Sequence, residues 1–214
     1  EDWSHYDAVM ASAQKQGLNV LLSVLTAPEW SRSTPGFDGP PDNPQDLADF
    51  IGRLIDRYPG QIGAIEVWNE QNLLRDWKTG DQLITEADPA EYVQMLRMAY
   101  AAIKAKDPNI IVVSGALSPT GVNAPDIAMD DFRYLELMVD AGLLDVADCI
   151  GLHHNGLNVP PRLAAEDVPN SPEAATWQFT GPAENPHHSW SMYSTLVGYH
   201  DIIKGAKPIC ITEF

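Results

Sequence analysis

Apolar positions along the chain follow two rhythms. Short, nearly continuous apolar runs occur at 18–25 (LNVLLSVL), 62–68 (IGAIEVW), 109–117 (NIIVVSGAL), 148–154 (DCIGLHH) and 207–214 (KPICITEF). Between them, apolar residues recur at helical spacing. Leu47, Phe50, Ile51, Leu54, Ile55 and Tyr58 make one such face, started by Asn43 and Pro44 and stopped by Pro59 and Gly60. Tyr92, Leu96, Ala99, Tyr100 and Ile103 make a second, capped by the segment from Asp88 to Glu91. Further helices are predicted over about 3–16, 131–141 and 189–204.

Strands alternating with helices at this rhythm predict parallel βαβ units, and near-continuous apolar strands predict a sheet covered on both faces. No Gly-rich phosphate loop follows any strand, which argues against a nucleotide-binding doubly wound sheet. The notable polar residues cluster after the C-terminal ends of strands, as in a (β/α)8 TIM barrel. Five strands are read where a closed barrel has eight, and ~250 residues is typical. The expectation is an α/β fold forming an apparently incomplete barrel of about five βα units. Residues 1–214 would be a single partial barrel domain, an internal piece of a longer chain covering strands three to seven. Open strand edges would favour self-association.

Composition narrows the partners. The chain has 13 Lys and Arg against 30 Asp and Glu, a formal net charge of −17. Such a surface repels phosphate backbones and anionic lipid, so no nucleic acid and no membrane surface is expected as partner. No apolar run approaches the roughly 20 residues that span a bilayer, and no basic-then-apolar segment opens the chain. Cys149 and Cys210 have no metal-type spacing and are expected as buried free thiols. They do not decide the compartment, and a secreted or cell-surface location stays open.

Two strands end on a carboxylate. IEVWNEQNL (65–73) places Asn69 and Glu70 where the second apolar run stops, and KPICITEF places Glu213 at the exit of the last. A single such Glu is most simply an exposed loop residue; two at matching strand exits are harder to dismiss. Leaving the fourth and seventh strands of one barrel, they would face each other across its mouth. Hydrolysis of a glycosidic bond needs such a pair, one acid to protonate the leaving oxygen and one carboxylate to attack the sugar or activate water. The acid would need a partly apolar site or a nearby like charge to hold its proton near neutral pH.

IEVWNEQNL and KPICITEF resemble the fourth- and seventh-strand signatures of the retaining clan A glycoside hydrolases, closest to cellulase-like and β-xylosidase-like bacterial members. The resemblance extends through PAEYVQMLRMAYAAIKAKDP, IIVVSGALSPTG, DDFRYLELMVDAGLLDVADCIGLHHNG and NPHHSWS. It implies double displacement on O-glycosidic bonds of β-linked glycans, with Glu70 as acid/base and Glu213 as nucleophile. Asn69 would hydrogen-bond the sugar 2-hydroxyl, and His153 would match the His of the family's His-x-Tyr-Gly pattern beside the nucleophile. Asn155 stands where that pattern has Tyr, and Gln71 where a Pro usually follows the acid/base. The expected ligand is an oligosaccharide or polysaccharide, with no cofactor. The alternatives are a carbohydrate-binding pseudoenzyme or an inactive structural fragment.

His153-His154 and His187-His188 invite a metal reading. Adjacent strand residues face opposite ways, so each pair is expected to offer one ligand at most, and no metal is expected. His187 and His188 are read instead as the turn opening the next helix. Trp30, Trp77 and Trp177 are candidate walls for sugar rings, although loop packing accounts for each equally well. The loop 156–188, with Trp177 and Phe179, is long enough to cover part of a cleft.

Overall fold

The computed structural model describes residues 2–33, 39–78, 82–155, 159–173 and 187–214. The elements run α1 (Ser4–Lys15), β1 (Val20–Val24), α2 (Pro44–Arg57), β2 (Ile62–Val67), α3 (Leu74–Trp77), α4 (Asp88–Lys106), β3 (Ile111–Ser114), α5 (Asp131–Asp140), β4 (Ile150–His153), α6 (Met192–Ile202) and β5 (Ile209–Glu213). Every described strand pair is parallel. This is the α/β order the apolar rhythm predicts.

The helices form where local chemistry starts them. Asn43 Oδ1 accepts the Gln45 N–H at 3.2 Å, and Pro44 follows at the first helical position of α2. Asp130 Oδ1 accepts the Phe132 N–H at 3.1 Å to start α5. The last helix begins later than its apolar pattern suggests. Ser191 Oγ accepts the Ser194 N–H at 3.0 Å, so α6 starts at Met192 and His188–Trp190 forms a separate 3-10 turn. α2 packs on α4, and Leu47, Ile51, Leu54 and Ile55 join Tyr92, Leu96, Ala99 and Ile103 in one core. On the outer side of α2, Trp3 stacks on Phe50 with ring centroids 5.7 Å apart.

β1, β2 and β3 form one ladder in that order, and β4 and β5 form a second. Parallel bridges Val113–Cys149 and Leu117–Leu152 join the two. The β4–β5 register shifts between Leu152 and His153, and that irregularity sets His153 opposite Glu213.

The same ladder overturns the free-thiol expectation. Gly151 pairs with Cys210, which brings Cys149 onto Cys210 with Cα atoms 5.9 Å apart, and the two form a disulfide. The residues are 61 positions apart, and only the strand register reveals their proximity. Among the described residues, no helix is long and apolar enough to cross a membrane.

Candidate active site

Immediately after β2 the backbone enters the left-handed region twice, at Trp68 (φ 79°) and Glu70 (φ 46°). Each such residue costs of order 1–3 kcal/mol and persists only where its surroundings fix it. The Trp68 N–H donates to Val24 O at 2.9 Å and the Glu70 N–H to Ala116 O at 2.8 Å. Trp68 Nε1 donates to Asp76 O at 2.8 Å, and its buried ring meets Trp77 edge-on at 6.0 Å. Asn72 is fully buried, donating to Ser118 O and Met129 O and accepting the Ser118 N–H. Gln71 is also fully buried, and its Nε2 donates to Gly115 O at 2.8 Å. The residue standing where a Pro is usual is thus tied through its side chain rather than loosened.

Glu70 is 6 % exposed. Its Oε1 lies 3.1 Å from His153 Nδ1, and its Oε2 accepts from Arg75 Nη2 at 3.3 Å. Burial acts to raise the Glu70 carboxyl, but the His153 ring, the Ser118 hydroxyl and the Arg75 guanidinium together outweigh it. They hold the carboxyl below its ordinary value. The raised acid expected from sequence is therefore not the resting state of this site, because cationic and hydrogen-bonding partners invisible in the local pattern converge on it.

Glu213 ends β5 with its side chain 51 % exposed. His153 Nδ1 lies 3.7 Å from Glu213 Oε2, and Asn155 Nδ2 donates to the same oxygen at 3.4 Å. The His154 N–H donates to Glu213 O at 3.0 Å, while its side chain is buried and that burial pushes its pKa down. Glu70, His153 and Glu213 place one donor atom each within 4.8 Å of one another. Two carboxylates 143 positions apart (213 − 70) share one mouth, with an imidazole nitrogen between them.

The other sequence-predicted residues divide. Asn69 is half-buried beside Glu70. Trp30 is 74 % exposed on the 3-10 turn Glu29–Ser31 after β1, lining a cleft of about 280 Å³ with Val24, Leu25, Pro41 and Phe50. Neither Glu70 nor Glu213 lines that cleft. Trp77 is no sugar platform: it is buried between Trp68 and Tyr92, with Nε1 donating to Asp88 Oδ1 at 3.3 Å. Trp177 and Phe179 lie outside the described residues.

His187 and His188 do form the turn before α6, and both reach the start of α5. His187 Nε2 lies 3.0 Å from Asp130 Oδ2 and His188 Nε2 lies 2.7 Å from Asp131 Oδ1. Strand alternation does not apply to them because they sit at a 3-10 start. With Asp130 they also bring donor atoms within 4.8 Å of one another. Arg75, Ser118 and Glu66 were missed by sequence reasoning. Glu66 carried a signal, since an acid inside an apolar strand must find partners.

No protein-family model matches the chain, and no curated protein matches its sequence. Solved structures do match. A family 39 glycoside hydrolase from Bacteroides cellulosilyticus WH2 aligns with TM-score 0.56 and 17 % identity, over 97 % of this chain and 37 % of that one. A family 44 xyloglucanase from Paenibacillus polymyxa aligns with TM-score 0.52 and 14 % identity, over 96 % of this chain and 52 % of that one. A family 44 endoglucanase from Clostridium thermocellum aligns with TM-score 0.51 and 14 % identity, over 95 % and 52 %. The fold is that of clan A glycoside hydrolases. The chain spans about a third to a half of the length of these TIM-barrel neighbours. One neighbour, the Paenibacillus enzyme, is also solved with xyloglucan.

Proposed function

We propose that the chain supplies the catalytic pair of a retaining glycoside hydrolase acting on β-linked glycans, and that it forms part of a (β/α)8 barrel. The observation that carries the reading is the approach of Glu70 and Glu213 to within 4.8 Å. Retaining enzymes hold their carboxyls ~5–5.5 Å apart so that one bonds the sugar directly, whereas inverting enzymes leave ~6.5–9.5 Å for water. The spacing supports retention.

In this reading Glu213, exposed and at the rim, attacks the anomeric carbon. Glu70, buried behind it, gives its proton to the departing oxygen, then takes one from the water that releases the sugar. Asn69 is placed for the sugar 2-hydroxyl, and Asn155 orients Glu213 with the amide where a phenol is usual. Trp30 and Trp177 are proposed as sugar-stacking walls, and His153 keeps the two carboxylates apart and aligned. Arg75 is 75 % exposed, so a sugar entering the mouth is able to displace it and relieve its pull on the Glu70 proton. The disulfide fits an oxidising compartment and so a secreted or cell-surface protein. Unpaired outer edges of β1 and β5 among the described residues support self-association.

The test is turnover of aryl β-glycosides by the chain, with Glu70→Gln and Glu213→Gln each expected to reduce kcat by orders of magnitude. Unchanged rates in either variant would refute the assignment. Asn155 favours one rival, a barrel that binds glycan without cleaving it. Oligosaccharide binding by calorimetry, with no hydrolysis and no gain from Asn155→Tyr, would decide for that rival.

A further inference from the structure

Beneath the carboxylate pair lies a third acid that the proposed chemistry does not use. Glu66, the last residue but one of β2, is 1 % exposed. Its Oε2 accepts from Ser23 Oγ of β1 at 2.5 Å. Its Oε1 accepts from Thr212 Oγ1 of β5 at 2.8 Å and from the Ala116 N–H after β3 at 3.3 Å. One side chain thus gathers donors from β1, β5 and the segment after β3. A buried carboxylate is retained only where donors converge on it, and here they do.

The partners of Glu66 are the immediate neighbours of the pair above it. Ala116 gives its N–H to Glu66 and accepts the Glu70 N–H on its carbonyl at 2.8 Å. Thr212 directly precedes Glu213. β2 and β5 belong to different ladders, which the strand bridges already described join at their edges. The Glu66–Thr212 bond crosses between them, linking residues 146 positions apart.

We propose that Glu66 is a positioning residue that sets the separation of the Glu70 and Glu213 carboxylates, acting through Ala116 on one side and Thr212 on the other. It rests on the reading of Glu70 and Glu213 as the catalytic pair. Because all three contacts of Glu66 are donors, an amide in its place turns an N–H2 toward at least one of them. Thr212→Val removes a single hydroxyl at nearly constant volume and leaves the Ser23 and Ala116 contacts in place, so it tests the bond across the interior without emptying the site.

The experiment compares Thr212→Val, Thr212→Ser and Glu66→Gln in the full chain, reading aryl β-glycoside kinetics per folded molecule and crystal structures of the parent and Thr212→Val. A displacement of about 1 Å costs catalysis ~100-fold. The expected result is a fall in kcat of roughly 10- to 100-fold in Thr212→Val and Glu66→Gln, with KM within about twofold and recovery in Thr212→Ser. The closest carboxylate oxygens of Glu70 and Glu213, within 4.8 Å of each other in the parent, should lie farther apart in Thr212→Val than in the parent's own crystal structure. A kcat within about twofold in both variants, a loss that only follows the folded fraction, or an unchanged separation overturns the proposal. Glu70→Gln and Glu213→Gln run alongside. If these two lose turnover while Thr212→Val and Glu66→Gln match the parent, the positioning role alone fails. If they keep turnover, the catalytic-pair reading fails and the positioning role falls with it. Should the parent turn over no glycoside, the carboxylate separation alone decides.

Discussion

The Nδ1 atom of His153 lies 3.1 Å from Oε1 of Glu70, inside a site where His153 itself is fully buried. That contact joins the exits of β2 and β4 and places a nitrogen between two acids. It is also the strongest influence opposing the effect of burial on Glu70. Replacing His153 by Ala removes that influence and leaves the effect of burial opposed by Ser118 and Arg75 without the imidazole, so the Glu70 carboxyl rises. kcat/KM measured against pH should then show its alkaline limb at higher pH with a lower plateau. An alkaline limb shifted to lower pH would contradict the assignment of that limb to Glu70.

Arg75→Gln makes the same argument without disturbing the core, because the guanidinium is largely exposed. Arg75 helps to hold the Glu70 carboxyl low. Its loss should move the alkaline limb upward, by less than His153→Ala does, with the plateau close to that of the parent. The pH profiles of the two variants, compared with the parent, check the order.

Gly115 stands where no side chain fits. A Cβ there would lie 2.6 Å from Gln71 Oε1, 2.8 Å from Val67 O and 3.0 Å from Trp68 C. Two of these are backbone atoms of the segment that carries Glu70, and they cannot swing aside. Gly115→Ala should destabilise the protein by about 1–3 kcal/mol and lower Tm by several degrees. It should also reduce turnover, because any relief moves the strained turn at Trp68 and Glu70. Thermal unfolding together with kinetics checks both effects.

The disulfide ties Cys149, the residue just before β4, to Cys210 of β5, three residues before Glu213. A bridge closing 61 positions stabilises by about 4 kcal/mol on the chain-entropy account, and typical losses on removal are ~2–5 kcal/mol. Cys149→Ser with Cys210→Ser should lower the unfolding free energy by an amount in that range. Denaturant titration of the double variant, with the oxidised parent as reference, gives the number.

The rhythm of apolar positions was enough to place all five described strands and the main helices, because burial on both faces writes short continuous apolar runs into strands and a 3.6-residue period into helices. Asn43 and Pro44 announced α2 for the same local reason, a cap and a pre-set φ. Relationships between strands were a different matter. The Cys149–Cys210 pairing, the bulge that sets His153 against Glu213 and the Glu66–Thr212 bond all depend on register, which no single strand encodes. Trp77 stayed open between two readings, sugar wall and packing, because an aromatic after a strand looks alike whether it faces a ligand or packs on Trp68 and Tyr92; it packs. The low Glu70 carboxyl was hidden for a related reason: Ser118 and His153 arrive from distant segments.

One measurement bears most directly on the claim that Glu70 and Glu213 work as a retaining pair. The chain is incubated with a 2-deoxy-2-fluoro β-glycoside carrying an activated leaving group, digested, and its peptides weighed. The account predicts one fluorosugar bound covalently to the peptide containing Glu213, and none in Glu213→Gln. A label on Glu70 or on any other residue, or hydrolysis that inverts the anomeric centre and leaves no label, would contradict it.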